Sequence, residues 1–504
     1  MRRLAHLPLF VLLMGIGALA MYVPALHAFV SRAYFVARIF FYSGTLILVL
    51  AALIGLATAS RGTGPKARDQ LLTLVAAYTL LPLILAVPLA ETVRDTSYFS
   101  AWWEMLSAFS TTGATLFEPE RLADSVHLWR AMVGWMGGFF ILVTAASVLA
   151  PMNLGGYEVL TGVTAGQGAV TGGQAQRGTE PNQRTIRIAL VLLPVYVGLT
   201  LILWVALLVS GDRSLVAASH AMSTLSTSGI SPVGGLSGGR SGVAGEVLIL
   251  IFLVFGLSRR LLPSGRSLRG TTGLFDDPEL RMALLIVAVV PALLFLRHWV
   301  GALEVDDVKN TAAAMGALWG TVFTVLSFLT TTGFESVDWT EARVWSGLST
   351  PGLILAGLSV IGGGVATTAG GVKLLRVYAL FRHGEREVER LIHPSSVGGS
   401  GAEARRLRRQ GAQMAWIFFM LFALSIAVTM LAFALSGLDF VASTVFAVAA
   451  LSTTGPLAAV AAETPLYWVE LDSFARTVAA AAMVLGRLET LAIIALMNPD
   501  FWRR

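Results

Sequence analysis

The 504-residue sequence contains no cysteine and little charge: 13% of its residues are Asp, Glu, Lys or Arg, against roughly 25% in soluble domains. The first absence excludes disulfides, thiolate metal sites and cysteine nucleophiles. The second, with 55% of residues hydrophobic, excludes a soluble domain and requires a membrane protein. The seven histidines (His6, His27, His127, His220, His298, His383 and His393) are scattered, and neither a His-Glu-x-x-His run nor a nucleophile elbow occurs, which argues against an embedded enzyme. A formal net charge of +6 would suggest nucleic acid for a soluble chain, but membrane topology accounts for it here, and no nucleic-acid partner is expected.

Apolar windows such as 71–90 and 188–210 are long enough for a helix to cross roughly 30 Å of hydrocarbon. Full spans are expected near 8–28, 33–58, 69–90, 128–150, 186–210, 244–262, 280–299, 350–380, 412–436 and 473–497. The N-terminal run after Arg2 and Arg3 lacks a small-residue cleavage site and reads as a retained span. Basic residues collect in alternate connections: Arg61/Lys66/Arg68, Arg177/Arg184/Arg187, Arg259/Arg260/Arg266/Arg269, and Arg382 through Arg405/Arg406/Arg408/Arg409. The positive-inside rule puts these connections and both termini in the cytoplasm. The intervening connections carry Glu91, Asp95, Glu104, Glu118, Glu120 and Asp124, then Glu304, Asp306, Asp307, Glu335, Asp338 and Glu341. They face outward, either concentrating cations at a pore mouth or merely solvating loops.

Four related stretches lie on the outward side: "FSTTGA" at 109–114, "LSTSGI" at 225–230, "LTTTGF" at 329–334 and "LSTTGP" at 451–456. Their glycines, Gly113, Gly229, Gly333 and Gly455, recur about every 110 residues, each within the order span, short apolar segment, polar stretch, return span. The units read as 69–155, 185–265, 279–395 and 410–504, preceded by two extra spans in 1–68. Segments such as "TVFTVLSFL" are too short to cross and are expected to dip in as half-helices and return as extended chain. Four such loops around one axis make a pore, and their backbone carbonyls suit a desolvated monovalent cation. A divalent ion would call for carboxylates, and Glu335, just after Phe334, is the nearest one. A competing reading makes each glycine a helix C-cap; four equivalent copies count against it.

"IGGGVATTAGG" at 361–371 puts five glycines and two threonines inside a span, at up to about 1 kcal/mol per glycine. The segment is therefore expected to be unwound, unless the glycines serve close helix packing. Lys373 and Arg376 follow it near the cytoplasmic end, where snorkelling would accommodate them. Arg487 lies well inside the last span with Glu489 two residues on, and an unpaired charge at that depth costs at least about 2.5–3.5 kcal/mol. It must face the pore or a partner.

The fourfold pattern, the run 360–396 and "MVLGRLETLAIIALMNPDFWR" at 483–503 resemble the Trk/Ktr/HKT superfamily of potassium transporters, most closely its bacterial TrkH-type branch. The resemblance covers nearly the whole chain. It implies an all-α polytopic fold of four M1-P-M2 units around one K⁺ pore, after two extra helices, in the bacterial inner membrane. It further implies a homodimer and a cytosolic Rossmann-type, TrkA-like regulatory subunit, which would carry any nucleotide; no organic cofactor is expected in this chain. The filter would comprise Thr111, Thr112, Gly113, Thr227, Ser228, Gly229, Thr331, Thr332, Gly333, Thr453, Thr454 and Gly455. The gate would comprise Gly362, Gly363, Gly364, Ala366, Thr367, Thr368, Gly370, Gly371 and Lys373, with Arg487 just below the filter impeding cations. In plant members a serine at the first filter glycine accompanies sodium permeation, so Gly113 favours potassium. Ser228 and the "TTGPL" of the fourth repeat depart from the pattern, and Leu457 is a candidate to narrow the outer mouth. The alternatives are a Na⁺-permeable or Na⁺/H⁺-coupled transporter of the same fold and, outside transport, a membrane enzyme or receptor.

Overall fold

The computed structural model describes residues 7–58, 67–157, 159, 181–261, 277–302, 311–346, 352–393 and 409–488. Glu489 and those basic and acidic residues of the connections that fall in 59–66, 160–180, 262–276, 303–310 and 394–408 lie outside the described residues. Among the described residues seven helical stretches are long and apolar enough to cross a membrane. Their outer faces present bare hydrocarbon, as at Leu46 (68% exposed), Leu56 (77%) and Val209 (83%), which is the pattern expected when lipid rather than water is the solvent.

Helices α1 (Leu9–Ala20), α2 (Tyr22–Val30) and α3 (Tyr34–Thr58) form an N-terminal pair of spans. Phe40 meets Trp129 edge-on at 5.9 Å and so docks α3 on the first repeat. That repeat is α4 (Ala67–Thr79) and α5 (Leu81–Thr92), α6 (Tyr98–Phe109) and α7 (Asp124–Thr144). The second is α8 (Pro181–Val209), α9 (Ser214–Ser226) and α10 (Gly242–Leu253). The third comprises α11 (Pro278–Ala302), α12 (Thr311–Leu329), α13 (Trp339–Ser346), α14 (Gly352–Ile361) and α15 (Leu374–Ile392). The fourth comprises α16 (Arg409–Leu435), α17 (Phe440–Leu451), α18 (Leu457–Ala461) and α19 (Ser473–Leu488).

Helices α6, α9, α12 and α17 are the re-entrant segments, sheathed by the longer spans. Two of them start on a side-chain cap: the Ser97 hydroxyl accepts from Ser100 N–H at 3.1 Å, and Asp439 Oδ1 accepts from Ala442 N–H at 3.1 Å. Such caps satisfy helix-start donors that have no partner within the helix. The span expected over 350–380 is two helices, α14 and α15, separated by unwound chain at 362–373. The glycine run is thus a break, not a packing face.

Candidate functional site: a ring of four loops and the segment beneath it

Each re-entrant helix ends in the same way. A threonine takes the left-handed conformation, with φ of +56° at Thr111, +52° at Thr227, +57° at Thr331 and +56° at Thr453. The next residue's N–H reaches back five residues: Thr112 to Ser107 O at 2.9 Å, Ser228 to Ser223 O at 2.9 Å, Thr332 to Ser327 O at 2.9 Å and Thr454 to Ala449 O at 2.8 Å. This is the Schellman ending, whose left-handed residue is usually glycine. A β-branched residue there costs about 1–3 kcal/mol and persists only where its surroundings enforce it. The helix cap is therefore threonine, and the glycine two residues on does something else.

The hydroxyls one residue beyond the left-handed threonines are paired, whereas those of Thr111 and Thr453 are buried with no partner among the described residues. Ser110 bonds Thr112 at 2.8 Å, Ser226 bonds Ser228 at 3.0 Å, Thr330 bonds Thr332 at 3.0 Å and Ser452 bonds Thr454 at 3.2 Å. Ser228 preserves the contact its threonine counterparts make, so that departure is conservative. With these four pairs tied to one another, the oxygens left at the ring are backbone carbonyls, of the kind that can replace an ion's hydration shell, and the hydroxyls of Thr111 and Thr453.

The glycines close the ring. A Cβ at Gly113 would overlap the Ser228 carbonyl oxygen, and one at Gly229 would overlap that of Thr332. One at Gly333 would lie 3.0 Å from Pro456 Cγ, and one at Gly455 would press into the backbone of Thr112 and Ala114. Repeat one therefore meets two, two meets three, three meets four, and four returns to one through Gly455 N–H donating to Thr112 O at 2.6 Å. Pro456 crowds this ring at Gly229 and Gly333. Leu457 is fully buried at the start of α18. Beside the ring, burial pushes the Glu335 carboxyl above the ordinary carboxylate range, against a smaller opposing pull from Arg343.

Beneath the ring the return helices approach through small residues. Gly137 of α7 lies against the Phe109 carbonyl and Gly486 of α19 against the equivalent Leu451 carbonyl, each with no room for a side chain. The residue after Gly137 is Gly138, whose Cβ would be 2.6 Å from Ser226 Cβ in the next repeat; Gly256 faces Thr330 likewise at 3.3 Å, and Gly370 faces the Ser452 carbonyl. The residue after Gly486 is Arg487. An arginine thus stands where three repeats carry glycine. It is buried, its Nε and Nη2 have no hydrogen-bond partner among the described residues, and the phenols of Tyr78 and Tyr196 flank it. Among the described residues no acidic side chain forms an ion pair with it.

The unwound segment crosses directly below. Gly370 N–H donates to Thr331 Oγ1 at 2.7 Å, and the Thr368 hydroxyl donates to Leu225 O at 3.2 Å. Thr367 donates to Gly256 O at 3.0 Å, as does Gly364 N–H at 3.0 Å. Gly362 (φ +72°) and Gly371 (φ +75°) form a neck where the two backbones touch. Lys373, with φ +86°, is buried and donates from Nζ to Ala369 O. Lys373, Gly370, Ala366 and Thr367 share with Arg487 a cavity of about 20 Å³, room for little more than one water. Ile361 ends α14, and Gly363 lies against the Gly256 carbonyl.

Lys373 and Arg376 do not snorkel. Arg376 is wholly buried, stacks over Phe418 at 3.5 Å and donates to Val372 O at 3.1 Å. Several structural residues escaped the sequence reading. Buried Glu279 accepts from Val365 N–H at 2.9 Å and so holds the unwound segment from α11. Buried Glu246 of α10 accepts from Val337 N–H, Trp319 Nε1 and the Ser336 hydroxyl at 2.6–2.8 Å. Glu104, taken as an outward acid, is buried and pairs with Arg130 at 2.6 Å while accepting from Leu116 N–H at 2.9 Å. Acids within two or three residues of apolar runs were the available signal.

Glu104→Ala strands the Arg130 charge, and breaking a buried pair this way costs about 3–5 kcal/mol. A drop of several degrees in the thermal unfolding midpoint of detergent-solubilised protein is expected, with Glu104→Gln losing less. Equal midpoints for wild type and Glu104→Ala would show that the pair does not hold the first loop.

The fold closely matches the crystal structure of the potassium transporter TrkH from Vibrio parahaemolyticus, with a TM-score of 0.80 and 25% identity over the full length of both chains. Proteins called Trk system potassium uptake protein TrkH from Salmonella typhimurium and Escherichia coli are 30% and 29% identical over 445 residues, 87% of this chain and 86% of theirs. The TrkH model, described as a cation transport protein, matches residues 37–235 and 247–503, and the chain with its four-loop ring belongs to that family.

Proposed function

We propose that the chain takes up K⁺ across the bacterial inner membrane, with the four-loop ring as selectivity filter and segment 362–373 with Arg487 as gate. The observation that carries this reading is the closed ring itself. Four loops meet around one axis with backbone carbonyls and threonine hydroxyls at the ring and no carboxylate in the loop stretches themselves, so the ion's hydration shell is replaced by neutral oxygen dipoles rather than carboxylates. That environment suits a large, weakly hydrated monovalent ion and offers a divalent ion too little charge. The names of the similar proteins agree with K⁺ as the transported substrate.

The gate follows from position. The unwound segment bonds the base of the ring at Thr331, abuts Ser452 and is tied to Gly256 and Glu279. The basic connections and both termini are cytoplasmic, by the distribution of Arg and Lys. Arg259, stacked on Tyr157 at 5.2 Å, and Arg260, 3.8 Å from Asp277, adjoin the carbonyls that hold the segment. A Rossmann-type nucleotide-binding subunit docked on these basic loops of a homodimer pulls there and releases the segment; anionic lipid headgroups compete for the same charges.

The test is flux of K⁺, Rb⁺ and Na⁺ into proteoliposomes holding the purified chain, with and without the cytosolic subunit. K⁺ and Rb⁺ uptake exceeding Na⁺ uptake, and stimulated by the subunit, is the expected result. Reversal potentials without K⁺ preference would overturn the filter reading, and a monomer indifferent to any such subunit would overturn the regulatory one.

A further inference from the structure

The four quadrants of the ring are not equivalent, and the difference centres on Trp468. Gly113, Gly229 and Gly333 have φ of +71°, +65° and +80°, whereas Gly455 is absent from the left-handed region. The cause is local: Gly455 precedes Pro456, and the proline ring restricts the preceding residue towards extended backbone. In this conformation Gly455 turns its N–H onto Thr112 O at 2.6 Å and its carbonyl onto the indole Nε1 of Trp468 at 3.1 Å. Trp468 is buried in the turn before α19, with its ring against Phe446 at 4.7 Å and Trp103 at 5.6 Å.

The bracing of the other quadrants shows what the indole replaces. Nine residues before the ring glycine, the first three repeats carry polar side chains: Glu104, His220 and Thr324. Glu104 accepts from Leu116 N–H, His220 Nε2 bonds the Ser231 hydroxyl at 2.9 Å, and Thr324 Oγ1 accepts from Ser336 N–H at 3.3 Å. Each side chain holds the chain just beyond its ring glycine and leaves that glycine's carbonyl alone. The fourth repeat has Phe446 at this place, which has no polar group to offer. Its brace comes from Trp468 and falls on the glycine carbonyl itself.

We propose that Trp468 is a specificity-determining positioning residue, whose indole N–H holds the Gly455 carbonyl out of the ion's coordination and fixes the width of the fourth quadrant. The outer part of the filter then presents three glycine carbonyls and one fixed wall. This rests on the reading of the ring as a filter. With the N–H removed, the buried Gly455 carbonyl keeps only the longer bond from Ala458 N–H at 3.3 Å and regains acceptor capacity for an ion on the axis. A carbonyl free to follow the ion inward serves the smaller ion most, so discrimination against Na⁺ falls.

Trp468→Phe keeps an aromatic ring and removes the donor, whereas Trp468→His keeps a ring N–H. In proteoliposomes with the activating subunit, under opposed K⁺ and Na⁺ gradients, the K⁺/Na⁺ permeability ratio is expected to fall about three- to tenfold in Trp468→Phe, the range of one hydrogen bond's net contribution. Trp468→His is expected to recover part of it. Pro456→Ala, which frees Gly455 by a route that leaves the indole intact, is expected to lower the ratio as well, and it decides the matter should the Trp468 variants not fold. Unchanged ratios in folded Trp468→Phe or Pro456→Ala overturn the inference, as do equal losses in the Phe and His variants, which would make packing the cause. A wild type with no K⁺ preference brings down the filter reading and this inference together, whereas a selective wild type with unchanged variants overturns this inference alone.

Discussion

Arg487→Ala is expected to raise K⁺ flux at least tenfold in the absence of the activating subunit. The guanidinium is buried directly beneath the ring, at the place where Gly138, Gly256 and Gly370 let the other repeats close in, and it shares its cavity with the Lys373 side chain. Two unit charges 4 Å apart repel by about 4 kcal/mol at an effective dielectric of 20, which is sufficient to dominate the passage of a cation. Arginine stays protonated throughout the accessible pH range, so pH cannot lift this barrier; displacement or substitution must. Removing a buried charge that lacks an ion-pair partner among the described residues also removes a desolvation cost, so the variant should fold. Arg487→Lys should keep most of the block, and deleting two residues from 363–370 should, like Arg487→Ala, raise subunit-independent flux. Rb⁺ uptake into proteoliposomes reads all three. Unchanged or lower uptake by folded Arg487→Ala protein would make the arginine structural and leave the barrier to Lys373 or the segment itself.

That arginine was legible because a charge inside an apolar span is costly whatever the fold. The four loops were legible for a similar reason: polar residues recurring between apolar runs have few explanations. The break at 362–373 could be read from glycine's poor helix propensity alone. The internal wiring of the site was not legible, because its partners are distant in sequence. Glu279 meets Val365 across 86 residues, and Arg376, read as snorkelling at the cytoplasmic end, finds Phe418 on a different repeat. The residue that forms the helix caps was not legible either. Glycine is the usual left-handed residue, yet here threonine takes that conformation at the four helix ends, because the glycine is needed two positions later, where a neighbour's backbone approaches too closely for any side chain. In the fourth repeat the consequence of the Gly-Pro pair lay in the glycine before the proline, whereas attention fell on Leu457 after it.

Gly113→Ser tests the ring at its tightest point. The substitution violates two constraints at once. Its φ of +71° is unfavourable for a residue with a Cβ, and that Cβ would overlap the Ser228 carbonyl oxygen across the junction of the first and second repeats. Ser228 cannot retreat freely, since its N–H is committed to Ser223 O and its hydroxyl to Ser226. The junction therefore has to widen, and the carbonyl displaced is, on the proposed filter reading, one of those that face the ion. K⁺, which relies on a full set of carbonyls held at fixed spacing, loses more than Na⁺, which can enter with a retained water and the added hydroxyl. A fall of about tenfold in the K⁺/Na⁺ permeability ratio is expected from reversal potentials, corresponding to about 1.4 kcal/mol of differential stabilisation, together with several-fold slower K⁺ uptake. Gly198→Ala supplies the control: this glycine sits within α8 with nothing within 4 Å of the added Cβ, so transport should be unaffected and the helix slightly favoured. A folded Gly113→Ser protein that discriminates as well as the wild type would mean that ions are selected elsewhere than at these glycines.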